Sequence, residues 1–271
     1  MTVHPAERGE LEAFRDLYLA APPGLGARVE EVGGAVCIAL PELPSSAMFN
    51  RVLGLGLDEP ATPGLVHEVA GFFGGLGVEW CVALAPGAEP RELSSWLDAR
   101  GFVRGYAWAK FERGLEEPAE RQTELRIAEV EPGADADAFA DVFVRAYGTP
   151  ELFREWLARL PGRAGWRCFV AFDGETPAAT GALFSMDGVG WLGIAGTLPE
   201  HRRRGAQGAI LAARIRAAAE TGCEVLVTET GEQVEGRPSS SYRNIERAGF
   251  ELAYVRPNYL SSAAADTNGT Q

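Results

Sequence analysis

Apolar and polar residues alternate along the chain with two periods, one typical of strands and one typical of helices. In the second half, three largely apolar runs predict strands: 166–172, 178–186 and 189–197. Residues 205–221 carry Ile210, Leu211 and Ile215 at helical spacing, so they predict an amphipathic helix. Gly222 follows directly and suits the left-handed residue with which helices commonly end. The pattern therefore indicates three strands followed by one long helix.

The remaining runs continue this interleaving of strands and helices in both halves. Further strands are predicted at 124–130, 223–228 and 250–255, and further helices at 135–147, 150–160 and 241–248. In the first half the same signals predict helices at 11–20, 65–76 and 91–99, and strands at 34–40, 50–57, 78–84 and 102–111. This order predicts an α/β (α+β) fold with a mixed central sheet flanked by helices.

The order of elements is repeated once along the chain. The pair Gly101-Phe102 recurs 148 residues later as Gly249-Phe250, each time between a predicted helix and a predicted strand. A second pair of glycines, Gly77 and Gly222, is 145 residues apart, and each one precedes a predicted strand. The repeat predicts two similar domains.

Four segments follow from the repeat. The similar domains are predicted at residues 1–113 and 123–260. Between them, residues 114–122 are charged, lack an apolar period and contain a proline, so they are predicted to be a linker. The polar segment 261–271 is predicted to be a disordered tail.

The net charge and the cysteine pattern limit the classes of partner. With 38 acidic and 25 basic residues the formal charge is −13, which disfavours nucleic acid and anionic membranes. No apolar run approaches the roughly 20 residues that span a bilayer, and the N-terminus has no secretory pattern. The four cysteines are far apart in apolar runs, so we expect buried thiols and no metal site. The sequence indicates a cytoplasmic protein and leaves its oligomeric state open.

A basic turn between a strand and a helix is the most informative segment. The strand ends at Thr197, Pro199 interrupts it, and the three arginines at 202–204 lead to Gly205, where the helix begins. The unpaired N–H groups of a helix N-terminus, and the helix dipole, favour an anion there. The turn predicts a site for a phosphate-bearing ligand, with a solvated basic helix start as the alternative. Since the P-loop and dinucleotide-binding glycine motifs are missing, those two folds are disfavoured.

This turn resembles the signature of the GCN5-related N-acetyltransferase (GNAT) superfamily, Gln/Arg-x-x-Gly-x-Gly/Ala. Arg202 and Gly205 match the signature, whereas Gln207 stands where the family has a final small residue and Gly208 follows it. The order of the surrounding strands and helices is also similar to that of the family. The resemblance covers residues 124–260.

The first half resembles the same fold without the site. At the positions equivalent to Arg202 and Gly205 it has Leu57 and Pro60, and the intervening residues are acidic. Proline has no N–H to donate, and an acidic turn repels a pyrophosphate. We therefore expect two tandem GNAT-like folds, of which the first is degenerate.

The resemblance implies that the second domain uses acetyl-CoA as co-substrate. It implies a pyrophosphate site made by main-chain amides and arginine side chains: Arg202, Arg203, Arg204, Gly205, Ala206, Gln207 and Gly208. The backbone of Ala195, Gly196 and Thr197 would pair with the pantetheine arm like an added strand. Asn244 would hydrogen-bond the cofactor, or else it is a surface residue of its helix.

The resemblance further implies that an amine attacks the thioester directly. A main-chain N–H near Gly196 or Thr197 would meet the thioester carbonyl. The tyrosine that protonates the thiolate in many relatives is replaced by Ile245, so Tyr242, one turn earlier, is either the alternative donor or a packing residue. Glu229, at a predicted strand end, is either the general base or a solvent-facing carboxylate.

These features predict an N-acetyltransferase that acts on the primary amine of a small molecule or a peptide. A non-catalytic acyl-CoA sensor or scaffold is one alternative, and acyl transfer to oxygen or with a longer acyl chain is another. The helices predicted at 135–147 and 150–160 are expected to cover the acceptor cleft. Three of their aromatic residues are predicted either to line this cleft or to pack in the core: Tyr147, Phe153 and Trp156. His201 is expected to be a loop residue.

Overall fold

The computed structural model of the chain describes residues 3–119, 122–234 and 239–261. They form two compact units, each with a mixed sheet flanked by helices. The first unit comprises the described residues up to Ala109 together with the segment that starts at Tyr254, and the second comprises the described part of Lys110–Ala253. Within the described ranges, no helix is both long and apolar enough to cross a membrane.

Helices and strands follow one another throughout the described chain. The helices are α1 (Pro5–Leu19), α2 (Pro63–Leu76), α3 (Leu93–Asp98), α4 (Ala134–Tyr147), α5 (Leu152–Leu157), α6 (Ala206–Glu220) and α7 (Ser240–Arg247). The strands are β1 (Arg28–Val32), β2 (Ala35–Ala39), β3 (Arg51–Leu53), β4 (Cys81–Ala83), β5 (Val103–Arg113), β6 (Arg126–Glu129), β7 (Trp166–Asp173), β8 (Thr176–Met186), β9 (Val189–Thr197), β10 (Val225–Gly231) and β11 (Glu251–Leu260). The predicted α/β (α+β) class is confirmed.

The first unit has a sheet with the strand order β1-β2-β3-β4-β11. Neighbouring strands are antiparallel except β3 and β4, which are parallel. Helix α2 buries Val69 and Phe73 in the same apolar core as Val52 and Val82 of the sheet. Phe73 also stacks on Trp80, with ring centroids 4.3 Å apart. This layer between α2 and the sheet is the core of the first unit.

A buried group of charges attaches the C-terminal strand to α1 within the first unit. Arg256 of β11 is fully buried and donates to Glu7 at 2.8 Å and to Glu10 at 3.0 Å. Glu10 also pairs with Arg51 at 3.3 Å, and the hydroxyl of Tyr254 donates to Glu7 at 2.7 Å. Since buried charges are tolerated only when paired, Arg256 balances the charge of Glu7 and shares that of Glu10 with Arg51.

The second unit has the strand order β10-β9-β8-β7-β6. Its neighbours are antiparallel except β9 and β10, which are parallel. This pattern matches that of the first unit, where β3 and β4 form the parallel pair. Gly77 and Gly222, both with positive φ, follow the equivalent helices α2 and α6. The internal repeat predicted from the sequence is therefore present in the strand pairing.

Some elements differ from those predicted. The strand predicted over 50–57 is confined to β3, because Gly54 and Gly56 both adopt φ of +77° and turn the chain. Helix α1 extends further toward the N-terminus than its apolar pattern indicates, and the helix predicted over 150–160 is reduced to α5. Strand β1 is not predicted by the pattern, because it is mostly charged and exposed.

The units divide the chain differently from the predicted domains. The sequence predicts one domain over 123–260, whereas the segment from Tyr254 onward belongs to the first unit. Ser261, placed in the tail by the sequence, accepts the N–H of Trp80 at 3.2 Å and donates its own N–H to the Trp80 carbonyl at 2.9 Å. Residues 262–271 of that tail lie outside the described residues, as do two residues of the predicted linker. The expectation that the four cysteines are buried thiols is confirmed.

Candidate functional site

Strands β9 and β10 separate midway along their length, and the candidate site lies where they part. Their parallel pairing begins at Val189 and Val225 and ends at Leu192 and Thr228. The hydroxyl of Thr228 donates to the carbonyl of Leu192 at 2.7 Å and closes the last pair. Beyond it, β9 continues to Thr197 without pairing to β10. This stretch offers main-chain groups to an extended ligand, as a sheet edge does.

Strand β9 carries a β-bulge in the same stretch. Its register with β8 shifts between Gly193 and Gly196, so Ile194 and Ala195 stand opposite a single residue, Gly181. Ile194 has φ of +47°, which is strained for a β-branched residue. Bulges re-aim the groups of a strand and are common beside active sites. The bulge was not predicted, although glycines within an apolar strand are its usual sequence signal.

The N-terminus of α6 has no side-chain cap, so no side chain at its N-cap pairs with the N–H groups of its first turn. Its N-cap, Gly205, has φ of +82° and makes no side-chain hydrogen bond, and Arg203 has φ of +63°. Left-handed residues in a short turn direct N–H groups into a concavity that suits an anion. A Cβ at position 205 would lie 2.9 Å from the carbonyl oxygen of Gln122, so glycine is required there. The hydroxyl of Thr123 donates to the carbonyl of Arg204 at 2.8 Å and fixes the turn.

The three arginines of the turn have different contacts. Arg204 donates twice to Asp173, and this contact holds the pKa of that carboxyl below its usual range. Arg202 is exposed and its Nε lies 3.4 Å from the carbonyl of Thr197. Arg203 is exposed and forms no ion pair with any described residue. Arg202 and Arg203 therefore supply the positive charge of the turn, whereas the charge of Arg204 is already balanced.

Two side chains hydrogen-bond to carbonyl groups of β9, in the stretch that does not pair with β10. The amide of Gln207 donates to the carbonyl of Gly196 at 3.0 Å and to the hydroxyl of Thr197 at 2.9 Å. The hydroxyl of Tyr147 donates to the carbonyl of Ala195 at 2.7 Å. Gln207 is the residue that departs from the resembled signature, and its length allows it to reach the strand. A ligand that pairs with these carbonyls must displace both side chains.

Glu229 is ion-paired with Lys110, the chain's only lysine. Glu229 directly follows Thr228, so it lies where β9 and β10 begin to part. Lys110 comes from the part of β5 that belongs to the second unit and is 1% exposed, while the side chain of Glu229 is 10% exposed. The alternative of a solvent-facing carboxylate is thus disfavoured. Lys110 was not predicted, and its sequence signal is a lysine within an apolar strand.

Tyr242 and Ile245 are buried on one face of α7, which packs against β10. The ring of Tyr242 contacts Phe111 edge to face, with centroids 4.8 Å apart. Burial raises the pKa of the Tyr242 hydroxyl, which makes no hydrogen bond to a described residue. Asn244 is half-buried on the same helix. Tyr242 therefore packs against a neighbour, and its hydroxyl is not engaged by another described side chain.

The aromatic residues of α4 and α5 fall into two groups. Phe153 and Trp156 are buried and stack with centroids 5.4 Å apart, so they are core residues. Tyr147 is 60% exposed and contacts β9 as described above. His201 lies in the loop after β9, with its Nδ1 3.5 Å from Asp173.

In the first unit, the N-terminus of the equivalent helix, α2, is capped by a side chain. The N-cap of α2 is Thr62, whose hydroxyl accepts the N–H of Leu65 at 3.1 Å, and Pro63 follows it. The helix starts thus align Gly205 with Thr62, two residues beyond the Pro60 expected from the repeat. A capped first turn beginning with proline offers fewer N–H groups to an anion than the turn at Gly205 does.

Known proteins are similar to this chain in sequence or in fold. Residues 136–237 match the family model described as the acetyltransferase (GNAT) family. A GCN5-related N-acetyltransferase from Kribbella flavida is similar in structure, with a TM-score of 0.65, 19% identity and 96% of each chain covered. One from Sphaerobacter thermophilus has a TM-score of 0.61 and 17% identity, covering 83% of this chain and 79% of that one.

A tandem GNAT protein from the clavulanic acid biosynthesis pathway has a TM-score of 0.61 at 15% identity. That comparison covers 90% of this chain and 85% of the other. A search of the curated proteins found no match. At sequence identities of 15–19%, these structural similarities show the fold alone. A stretch of the second unit thus matches the acetyltransferase (GNAT) family, and the chain has the fold of tandem GNAT proteins.

Proposed function

We propose that the protein is an N-acetyltransferase that moves an acetyl group from acetyl-CoA to the primary amine of a small molecule or a peptide. The observation that carries this proposal is the open N-terminus of α6 beside the unpaired stretch of β9. The helix start offers amides and two arginines to a diphosphate, and the strand offers its edge to an extended arm. The family domain in the second unit supports the same class of activity.

The residues of the turn fit acetyl-CoA. Gly205 starts α6 in a left-handed conformation without a side-chain cap, and Arg202 and Arg203 are exposed beside it. The main-chain amides from Arg203 to Gly208 would hold the pyrophosphate, while Arg204 keeps the turn in shape through Asp173. When bound, the cofactor supplies an activated thioester. Binding at this turn uses the charge-assisted hydrogen bonds that arginines form with phosphate.

The chain's own residues handle the protons and the charge of the reaction. Glu229 is the proposed base that takes a proton from the substrate ammonium, so that the free amine can attack the thioester, and Lys110 orients its carboxylate. Main-chain amides at the bulge of β9 would polarise the thioester carbonyl. Tyr242 is the proposed proton donor to the departing thiolate, since α7 packs against β10 and the Tyr242 hydroxyl makes no hydrogen bond to a described residue.

An acyl-CoA sensor without turnover is the second candidate. It is favoured by Ile245 at the family's tyrosine position and by Gln207 and Tyr147, which occupy the carbonyls of β9. Coenzyme A release from acetyl-CoA, measured against a panel of primary amines, separates the two. Release that depends on an amine supports the transferase. Acetyl-CoA binding without release on any amine supports the sensor, and no binding contradicts both.

The binding site is tested by reversing one charge. Arg203→Glu is expected to raise the Kd for acetyl-CoA about 10- to 100-fold, because a charge-assisted bond contributes about 1.5–3 kcal/mol. Isothermal titration calorimetry measures the change. Arg104→Glu is the matched control, since Arg104 is exposed in the first unit and the change in net charge is the same. Equal Kd values for the two variants would contradict the assignment of the turn.

A further inference from the structure

Arg214 of α6 is a buried cation without a carboxylate partner among the described residues. It is 2% exposed, and its Nη1 donates to the carbonyl of Ala182 at 3.1 Å and to that of Gly193 at 3.3 Å. Its Nε is buried without a hydrogen bond. Burial lowers the pKa of Arg214 to about 9, so the guanidinium remains charged at neutral pH. A buried charge without a counter-ion is costly, which indicates a role beyond packing.

The two carbonyls that Arg214 contacts flank the bulge between β8 and β9. Gly193 directly precedes Ile194, and Ala182 directly follows Gly181, the residue opposite the bulge. Arg214 therefore hydrogen-bonds to both strands where their register shifts.

Gly181 provides the space for this contact. A Cβ on residue 181 would lie 2.7 Å from Ile210 and 3.0 Å from the guanidinium carbon of Arg214. A side chain there would force Ile210 to move and would press on the guanidinium beside the bulge. The glycine on β8 and the arginine on α6 thus form a matched pair, although 33 positions separate them in the sequence.

The bulge needs support from outside the strand. Ile194 has φ of +47°, and a β-branched residue keeps this conformation only where its surroundings impose it. Arg214 anchors the carbonyl of the preceding residue, Gly193, and so restrains the peptide that leads into Ile194. Its positive charge also lies next to the bulge, in a buried environment where charge acts more strongly than in water.

We propose that Arg214 is a positioning residue that holds the bulge of β9 in shape, so that the main-chain amides of Ile194 and Ala195 are directed at the thioester oxygen. This inference rests on the proposed acetyl transfer. Arg214 acts through the main chain and does not itself touch the substrate. Its loss should therefore affect the chemical step more than the binding of acetyl-CoA.

The test compares Arg214→Met and Arg214→Lys with Arg216→Met. Arg214→Met is expected to lower kcat about 10- to 100-fold, less than the roughly 100- to 1,000-fold loss on removing an oxyanion donor outright, with little change in the KM for acetyl-CoA. Arg214→Lys keeps a positive charge and N–H donors, so its kcat is expected to lie between those of Arg214→Met and the wild type. Arg216 lies on the same helix, 49% exposed and paired with Glu117, so Arg216→Met should behave like the wild type.

Gly181→Ala provides a second variant that keeps the charge. Its added methyl group should displace the guanidinium, so kcat is expected to fall as in Arg214→Met. The double variant should lose little more than either single variant, because both changes break the same contact. Wild-type kcat in both single variants, or an additive loss in the double variant, would overturn the proposal.

A structural measurement decides the inference independently of turnover. In a crystal structure of Arg214→Met or Gly181→Ala, whichever is folded, Ile194 is expected to leave its positive φ or to become disordered. An unchanged bulge in both variants would refute the positioning role. If the wild type acetylates no amine, the proposed function fails, while the conformation of Ile194 still answers whether Arg214 holds the bulge.

Discussion

At the scale of single residues, the contact between Lys110 and Glu229 bears most directly on the proposed proton transfer. The two side chains form an ion pair and are 1% and 10% exposed. The chain's only lysine is thus used in this ion pair. A carboxylate held in this way has a fixed direction, which a proton acceptor requires.

Lys110→Met is expected to destabilise the protein by about 3–5 kcal/mol, because it leaves a buried carboxylate without its cation. Urea denaturation followed by circular dichroism measures the free energy of unfolding. Lys110→Arg retains a cation and should lose less. Adding Glu229→Gln to Lys110→Met should recover much of the loss, and a double variant as unstable as Lys110→Met would contradict the dependence.

Single residues also show which features of the candidate site can be predicted from the sequence. The basic turn at Arg202 to Gly205 was predicted because its signal is contiguous in the sequence. Lys110 and Glu229, by contrast, are 119 positions apart, and no local pattern relates them. Arg214 likewise reads as one polar position in a helix rich in alanine. Contacts of this kind depend on the packing of elements, which periodicity does not specify.

At the scale of elements, the strand-turn-helix formed by β9 and α6 was predicted with nearly its observed bounds. Its apolar run and its glycines are strong local signals. The bulge inside β9 was not predicted, because a run of apolar residues does not reveal a register shift. The reach of Gln207 back to β9 was also not predicted, since it depends on the distance between the two elements.

Gln207→Ala is expected to tighten the binding of acetyl-CoA about 2- to 10-fold, because the ligand would no longer displace hydrogen bonds of about 0.5–1.5 kcal/mol. The Kd is measured by calorimetry. Tyr147→Phe removes the donor to the neighbouring carbonyl and should act in the same direction. Weaker binding in Gln207→Ala would instead show that the amide contacts the ligand.

At the scale of the whole molecule, the chain crosses between the two units twice, and both crossings fall within strands. Strand β5 passes into the second unit after Ala109, and β11 returns to the first after Ala253. The repeat predicted two units from sequence alone, but it placed the boundaries in loops. The exchange was not predictable from composition, since both strands have ordinary apolar patterns.

A chain that ends after Ala253 is expected to lose the stability of the first unit. Glu7 and Glu10 would be left buried without Arg256, and β4 would lose β11 as a neighbour. Amide hydrogen exchange should show lost protection in α1 and β4. A chain ending after Ser261 keeps these contacts and is the control. Unchanged protection in the shorter chain would contradict the role of the last strand.

The position of β11 near the end of the chain also affects the order in which the two units can complete their folding. Domains usually fold as they leave the ribosome, at about 5–20 residues per second, with the N-terminal one first. Here all residues of the second unit have been synthesised by Ala253, while the first unit still lacks the strand that carries Arg256. The half of the molecule translated first is thus completed last, and Glu7 has no Arg256 to pair with until β11 has been translated.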